Sequence, residues 1–212
     1  MLRFLAMVLV AVMLAFFCPL ARGGVIEVVV ESKTILNDPI LPVDGFVDVF
    51  LKVTGGAVPD LAAWQAAVDL QTAAAGLVFT SPFAQPAAES HPAVIAENFM
   101  PNFTGDGGPH RASAMAYLNS GAAQINDGDG LFRVPFRVDP GVVGAFTVTI
   151  DPDPFTGSVL SDANFGAIPF TAVSGTISVN DVPEPASLSA LIIAALTLAV
   201  RRRRSVPVGD AA

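Results

Sequence analysis

The chain has 212 residues, of which 52% are hydrophobic, and it contains a single cysteine. One cysteine excludes an intramolecular disulfide, so stability has to come from packing. Between Val25 and Asn180 there are five basic and sixteen acidic residues, a net charge of −11. A surface with this charge repels nucleic acid and anionic lipid, so no nucleic-acid partner is expected.

The first 23 residues have the layout of a secretory signal peptide. One arginine precedes the apolar run Phe4–Phe17, and the small residues Ala21 and Gly23 follow at the spacing that signal peptidase prefers. We expect residues 1–23 to direct export through the Sec translocon and to be removed by signal peptidase. An uncleaved membrane helix is the alternative, although the run is short for a span. Phenylalanines precede Cys18 where a lipoprotein signal needs small residues, so a lipoprotein is rejected.

Residues 24–181 carry the pattern of one all-β domain. Turn-forming stretches rich in Gly, Pro, Asn and Asp alternate with short runs in which apolar and polar residues take turns, as in half-buried strands. One run, residues 61–71, also fits a helix, because alanine favours helix; we prefer a strand there and at 111–120. The predicted strands are Val25–Glu31, Phe46–Val53, 61–71, 111–120, Gly130–Val138, Gly144–Asp151 and Gly175–Asn180. Together they predict a two-sheet β-sandwich.

The clearest alternation lies between Gly130 and Asp151. It predicts four inward side chains on the first run and three on the second: Phe132, Val134, Phe136 and Val138, then Phe146, Val148 and Ile150. The turn DPGVVG between the two runs predicts that they form a hairpin. Pro135 has no N–H to donate to a ladder, so the first of these strands is expected at a sheet edge or beside a bulge.

The order of these segments resembles the cohesin and carbohydrate-binding-module group of immunoglobulin-like sandwiches. The resemblance covers about Val25–Val179 and rests on an early strand pair, AAWQAAVDLQ followed by GLVF, DGDGLFRVPFRV followed by GAFTVTI, and a closing GTISV. It implies a single cohesin-like β-sandwich that binds a carbohydrate or a protein.

The middle of the chain shows no pattern typical of an enzyme. Ser113 and Ser174 lack the G-x-S-x-G context of a nucleophile elbow. His91 and His110 lie in turn-like stretches and lack the cysteines and the spacing of a zinc site. We therefore expect no enzymatic activity, no confident metal site and no cofactor.

Two acidic turns are candidates for calcium binding. Asp127 and Asp129 lie in NDGDG, and Asp151 and Asp153 lie in DPDP. Carboxylates at alternate positions of a loop supply the oxygen ligands that Ca²⁺ prefers. The same sequences also form tight turns without any metal, which is the interpretation we favour.

Two aromatic residues are candidates for stacking on a sugar ring. Trp64 and Tyr117 are the only large aromatic side chains that also carry a polar group. The alternation puts Trp64 on the same face as Val68 and Leu70, which favours packing in the core. Carbohydrate stacking at these two residues is therefore a hypothesis, and core packing is the preferred interpretation for Trp64.

The last 31 residues contain a tripartite pattern. A proline-rich stretch precedes the apolar run Ala186–Val200, which is 15 residues long and is followed by a basic cluster and a polar tail, residues 206–212. As a helix the run measures about 22 Å, against about 30 Å for the hydrocarbon core of a bilayer. The basic cluster predicts that this end stays cytoplasmic while the acidic domain lies outside. The first and last parts are Val182, Pro183, Glu184 and Pro185, and Arg201, Arg202, Arg203 and Arg204.

This pattern, over residues 182–205, resembles the PEP-CTERM protein-sorting domain. The resemblance implies recognition of the Pro-Glu-Pro motif by an exosortase, a transient transmembrane helix, and the arginines as a cytoplasmic stop. It also implies a protein held in the inner membrane before processing and then released to the cell surface or the extracellular matrix, in association with exopolysaccharide or biofilm. An ordinary single-pass anchor behind a proline-rich stalk is the alternative.

Overall fold

The computed structural model describes residues 23–71, 76–80, 90–102 and 110–182. Residues 1–22 of the predicted signal peptide and everything from Pro183 onward lie outside these residues. Within them no helix is long and apolar enough to cross a membrane, and all regular structure is β. The strands are β1 Val25–Val30, β2 Lys33–Asn37, β3 Val43–Thr54, β4 Ala63–Leu70, β5 Leu77–Phe79, β6 Met100–Asn102, β7 Arg111–Tyr117, β8 Gly130–Val138, β9 Gly144–Ile150, β10 Val159–Ser161, β11 Ala167–Ile168, β12 Thr171–Val173 and β13 Gly175–Asp181.

The strands form two sheets. A five-stranded sheet has the order β12-β1-β3-β8-β5, and an eight-stranded sheet contains the path β11-β10-β4-β9-β13-β2. In the larger sheet, β10 and β9 pair with the two ends of β4 along one of its edges. β7 pairs along the other edge of β4, and β6 lies outside β7. Two pairs are parallel, β1 with β12 and β2 with β13, and the others are antiparallel. The prediction of a two-sheet sandwich is confirmed.

The core lies between the sheets and is built by the inward side chains of every long strand. Alternate residues along β1, β3, β4, β7, β8, β9 and β13 join one buried cluster, as the period of two requires. The ambiguous ranges 61–71 and 111–120 contain the strands β4 and β7, which are shorter than predicted, so a strand is confirmed in both. Burial outweighs the helix propensity of their alanines, because Ala66, Ala112, Ala114 and Ala116 lie at alternate positions and are buried in the core.

The predicted hairpin between Gly130–Val138 and Gly144–Asp151 is wrong. β8 pairs with β3 and β5 in the first sheet, whereas β9 pairs with β4 and β13 in the second. The turn after Val138 therefore carries the chain from one sheet to the other. Each of the two strands buries one face in the core. The alternation of apolar and polar residues is the same whether the strands are neighbours in one sheet or lie in facing sheets, so it could not distinguish the two arrangements.

The prediction of an edge strand or a bulge at Pro135 is wrong as well. β8 is flanked by β3 and β5, and the register shift between β3 and β8 lies at Val49 and Phe50, far from the proline. The carbonyl of Pro135 accepts a hydrogen bond from the N–H of Thr80 at 3.1 Å, just past the end of β5. The N–H and the carbonyl of one strand residue point to the same side, so an N–H at position 135 would also point toward β5, which has already ended there. No hydrogen bond to β3 is therefore lost.

Candidate functional site

The strands β4 and β7 form one part of the outer surface of the eight-stranded sheet. Their inward residues are buried, so the residues in between point outward in cross-strand pairs. We call this surface the β4–β7 face. The pairs are Ala63 with Tyr117, Gln65 with Met115, Ala67 with Ser113, and Asp69 with Arg111.

Large exposed apolar side chains gather on and around this face. Met115 and Tyr117 lie on β7 with exposed fractions of 36% and 40%, and Met100, directly opposite Met115 on β6, is 46% exposed. Phe155 and Phe165, in the loops on either side of β10, are 91% and 89% exposed. Such side chains are costly to leave in water in one region, which is typical of a surface that binds a partner.

The loop between β9 and β10 is fastened over the outside of β4. Gln65 Nε2 donates to the carbonyl of Gly157 at 3.0 Å, and the N–H of Ala67 donates to Ser158 Oγ at 3.1 Å. This covers Ala67 completely although it is an outward position. Gly157 lets the loop fold back closely on its own beginning, because a Cβ there would lie 2.4 Å from the Asp151 carbonyl oxygen. Phe155 is therefore exposed on a loop that is itself anchored.

The loop between β10 and β11 holds Phe165 in a defined position. Asp162 Oδ1 accepts hydrogen bonds from the N–H groups of Asn164 and Gly166, both at 2.8 Å. Phe165 has φ +61°, the left-handed region that non-glycine residues rarely adopt. Backbone strain of this kind is kept only where surrounding bonds enforce it. The loop thus displays its aromatic side chain instead of letting it fold back onto the sheet.

An ion cluster closes one end of the β4–β7 face. Arg111 donates from Nη1 to both carboxylate oxygens of Asp69, at 3.0 and 2.8 Å, and from Nη2 to Asp151 Oδ2 and the Thr156 carbonyl, both at 2.7 Å. Burial raises the pKa of Asp69 despite the neighbouring Arg111 charge. Burial also acts upward on the pKa of Asp151, but the hydrogen bond from Arg111 and that from the N–H of Asp153 outweigh it and hold this pKa below its usual value. These charges pair with each other, so the cluster anchors the β9–β10 loop.

The opposite end of the face opens into two grooves. The smaller, about 160 Å³, lies between β7 and β10 and is lined by Gln65, Met115, Tyr117 and Val159 among others. The larger, about 660 Å³, continues past the strand ends and is lined by residues that include Tyr117, Leu118 and Phe165. Tyr117 borders both. The tyrosine is wide and its cross-strand partner Ala63 is small, which leaves the recess between them.

The two candidate stacking residues have different surroundings. Trp64 is only 2% exposed, and its ring stacks on Phe132 with the centroids 5.9 Å apart. Its core packing is confirmed, and the ring has no accessible face for a sugar, which corrects that hypothesis for Trp64. Tyr117 is exposed on the β4–β7 face, where sugar stacking stays a prediction.

The acidic turns serve backbone geometry. Asp127 Oδ1 accepts from the N–H of Val53 at 2.9 Å, and Asp129 Oδ2 accepts from the N–H of Asn126 at 2.6 Å. Asp151 takes part in the Arg111 cluster, and Asp153 Oδ1 accepts from the N–H of Phe155 at 2.8 Å. Across the described residues, no group of three or more His, Cys, Asp or Glu side chains is arranged to hold a metal ion. Calcium binding at these turns stays a prediction, and no cluster of ligands among the described residues supports it.

Of the predicted sorting motif, only Val182 is described. It directly follows β13 and is 45% exposed. Pro183, Glu184, Pro185 and the arginine cluster lie outside the described residues, so their roles stay predictions.

Comparison with solved structures identifies the architecture. A CaCohA2–CaDoc0917 complex, whose cohesin comes from Clostridium acetobutylicum, matches with a TM-score of 0.54 at 16% identity, over 73% of this chain and 99% of the matched one. The fold is cohesin-like. The sixth cohesin of Acetivibrio cellulolyticus scaffoldin B, solved with a Cel5 dockerin, matches with a TM-score of 0.53 at 13% identity (74% and 99% covered). A non-cellulosomal cohesin from Archaeoglobus fulgidus matches with 0.51 at 13% identity (78% and 97% covered). No family model matches the chain, and no curated protein matches it significantly in sequence.

Sequence reasoning missed most of this cohesin-like module's candidate surface. Met115 shares the alternation of Tyr117, so its outward position was readable from the spacing in RASAMAY. Met100, Phe155 and Phe165 had no such signal, because they lie on a three-residue strand and in two loops. Their exposure depends on what the rest of the chain leaves uncovered.

Proposed function

We propose that this chain is an exported, non-enzymatic module that binds a protein partner through the β4–β7 face. The observation that carries the proposal is the row of exposed apolar side chains on and beside one sheet surface: Met115 and Tyr117 on β7, Met100 opposite Met115, and Phe165, which borders the larger groove with Tyr117. The cohesin-like fold supports it, because two of the similar structures were solved as cohesin–dockerin complexes. A dockerin-type protein is therefore the proposed class of partner.

The chemistry of the face suits a protein more than a small polar ligand. Methionine side chains adapt to an apolar partner surface, and methionine and tyrosine are both enriched in protein interfaces. The charged groups at the closed end are already paired within the chain, so a partner need not neutralise them. Affinity is expected to be concentrated at Tyr117 and Phe165, which border the larger groove.

The test is photo-crosslinking in the cells that make the protein. A photoreactive phenylalanine analogue replaces Tyr117 or Phe165 in turn, and the matched control carries it at Lys52, a 52%-exposed side chain on the five-stranded sheet. The expected result is one and the same protein adduct from Tyr117 and Phe165 and none from Lys52. Equal adducts from all three positions, or none from the face, would contradict the proposal.

Carbohydrate binding is the competing function for the same fold. A glycan array probed with the exported protein and with its Tyr117→Ala variant separates the two. If the protein binds a glycan and the variant does not, at an unchanged melting temperature, the ligand of this face is a sugar and the proposal of a protein partner is wrong. We expect no glycan signal, because the larger of the two candidate aromatics, Trp64, is buried.

We further propose that the C-terminal segment is a sorting signal processed by an exosortase, and that the product reaches the cell surface or matrix in association with exopolysaccharide. Support comes from the order of Pro183-Glu184-Pro185, the short apolar run and the four arginines. Intact-mass measurement of the mature protein from its own cells tests this. A mass ending near Pro185 is expected, and a mass that includes the arginines would refute processing.

A further inference from the structure

A second group of exposed aliphatic side chains lies where the described chain ends. Leu36 is 55% exposed, Ile40 79%, Leu41 63%, Val143 51% and Val182 45%. We call these five residues the apolar pole. Together with the group around the β4–β7 face, they account for every strongly exposed large apolar side chain of the described residues except Val25.

Hydrogen bonds join the three segments that carry the apolar pole. β2 and β13 run parallel, with Leu36 beside Asn180 and Asn37 beside Asp181. The buried side chain of Asn37 donates from Nδ2 to the carbonyls of Asp139 and Val142, at 2.9 and 2.8 Å. The pole is therefore one surface, with its loops tied to the end of the sandwich.

The tip of the pole is held outward. Asp38 Oδ1 accepts hydrogen bonds from the N–H groups of Ile40 and Leu41, at 2.7 and 3.0 Å, and these bonds lower the pKa of Asp38. Prolines on both sides of the tip, in the sequence DPILP, restrict its backbone further. The two most exposed aliphatic side chains of the pole are thus presented to the surroundings by a stiff turn.

The place where the chain leaves the sandwich toward its C-terminal segment indicates what covers this surface. Val182 belongs to the pole, and the apolar run that we propose as the membrane segment starts at Ala186. Four residues of extended chain span about 13 Å at most, so a membrane-inserted tail keeps the pole next to the bilayer. We infer that the apolar pole rests in the interfacial layer of the bilayer while the tail is inserted; this rests on the sorting tail proposed above.

The inferred orientation leaves the partner face accessible. β9 begins at the pole, where Gly144 lies beside Val179, and β4 runs antiparallel to it from Leu70 back to Ala63. Ala63 and Tyr117 thus lie seven residues, about 23 Å, beyond Leu70 on the side away from the pole. A partner can reach Tyr117 without contacting lipid.

The test uses the exported full chain with its tail retained, one copy per phosphatidylcholine nanodisc. This zwitterionic lipid is chosen because Asp38, Asp139 and Asp181 at the pole repel anionic headgroups. In a Cys18→Ser background an NBD fluorophore is attached at Ile40→Cys, or at Ser120→Cys as the matched exposed control beyond Tyr117. Doxyl-labelled lipid should quench most of the fluorescence at position 40, with blue-shifted emission, and little at position 120.

The possible failures can be told apart. Resistance to alkaline extraction reports insertion of the tail separately. If the chain is extracted, the tail proposal and this inference are both refuted. If the chain is inserted but position 40 is not quenched, only this inference is refuted. A blue-shifted emission at position 40 that appears only with two copies per disc, and that doxyl lipid does not quench, would mean that two chains associate through the pole. This result would also overturn the inference.

A pair of variants tests the side chains themselves. With the fluorophore at Val143→Cys, the double change Ile40→Asp with Leu41→Asp should strongly reduce lipid quenching, because it replaces the two apolar side chains that enter the interface with carboxylates that favour water. Since both residues are exposed, the melting temperature should not change. Phe155→Asp, an equally exposed apolar residue on the partner side, should leave quenching intact; loss of quenching in this control would contradict a specific role of the pole.

Discussion

Asp48 is a fully buried carboxylate on a sheet surface. It lies between the inward residues Val47 and Val49, so its side chain points outward on the five-stranded sheet, yet it has no exposed surface. Arg133 on β8 donates to both of its oxygens, at 2.7 and 2.8 Å, and lies 3.7 Å over the ring of Phe46. The hydrogen bond to Asp48 raises the pKa of Arg133. A buried charge is tolerated because its partner satisfies it.

Asp48→Asn should destabilise the fold, because it leaves Arg133 without its counter-charge. Removing one member of a buried pair typically lowers the free energy of unfolding by about 3 kcal/mol. Urea denaturation followed by tryptophan fluorescence measures the loss.

Asp44→Asn is the matched control for Asp48→Asn. Asp44 makes the same two-bond contact with Arg137 on the same strand pair, but the two side chains are 62% and 48% exposed. Exposed pairs contribute little, so no resolvable change is expected. Equal losses in the two variants would mean that burial is not what gives the Asp48 pair its importance.

At the scale of elements, the chain changes sheets twice at one place. Between β1 and β2, and again between β12 and β13, it passes from the five-stranded to the eight-stranded sheet. The two crossings touch, since the N–H of Thr176 donates to Ser32 Oγ at 3.1 Å. A Cβ on Gly175 would lie 2.6 and 2.7 Å from the carbonyl oxygens of Val30 and Glu31. Only glycine fits here without moving backbone.

Gly175→Ala should therefore loosen both crossings. Overpacking against atoms that cannot rotate away typically costs about 1–3 kcal/mol, and we expect a lower melting temperature with an unchanged circular-dichroism spectrum. Ser174→Ala is the control, because Ser174 is the exposed neighbour of Gly175 and the change adds no atoms. A Gly175→Ala protein as stable as the control would show that the crossings can shift apart.

At the scale of the whole molecule, the stability should depend on pH through its carboxylates. The pKa of Asp38 is lowered by hydrogen bonds from two backbone N–H groups, and that of Asp44 by a hydrogen bond from Arg137. The pKa of Asp151 is lowered as well, whereas that of Asp69 is raised by burial. A carboxyl with a lowered pKa takes up its proton more readily in the unfolded chain, so protonation favours unfolding.

The stabilisation from the three lowered groups should be complete above the unfolded-state pKa, about 3.9, and should be lost as the pH falls through their folded-state values. Asp69 acts in the opposite direction, because its raised pKa favours the folded state when it is protonated. Urea midpoints measured from pH 6 to pH 2 should fall below about pH 4. The variant Asp38→Asn should show a shallower fall; an identical profile would contradict the assignment for Asp38.

The strands and their inward faces could be predicted from the sequence, because alternation is a local property and each strand buries one face. Phe132, Val134, Phe136 and Val138 are all buried, as their spacing predicts. The export and sorting signals that we propose are likewise predicted from the linear order of residues. How the strands pair was decided only by the tertiary structure, since β8 and β9 satisfy the same pattern in one sheet or in two. The same holds for which side chains are covered: neighbouring segments bury the charged Asp48 and leave Phe155 and Ile40 exposed. Exposure depends on contacts between residues distant in sequence, and those contacts determine both candidate surfaces.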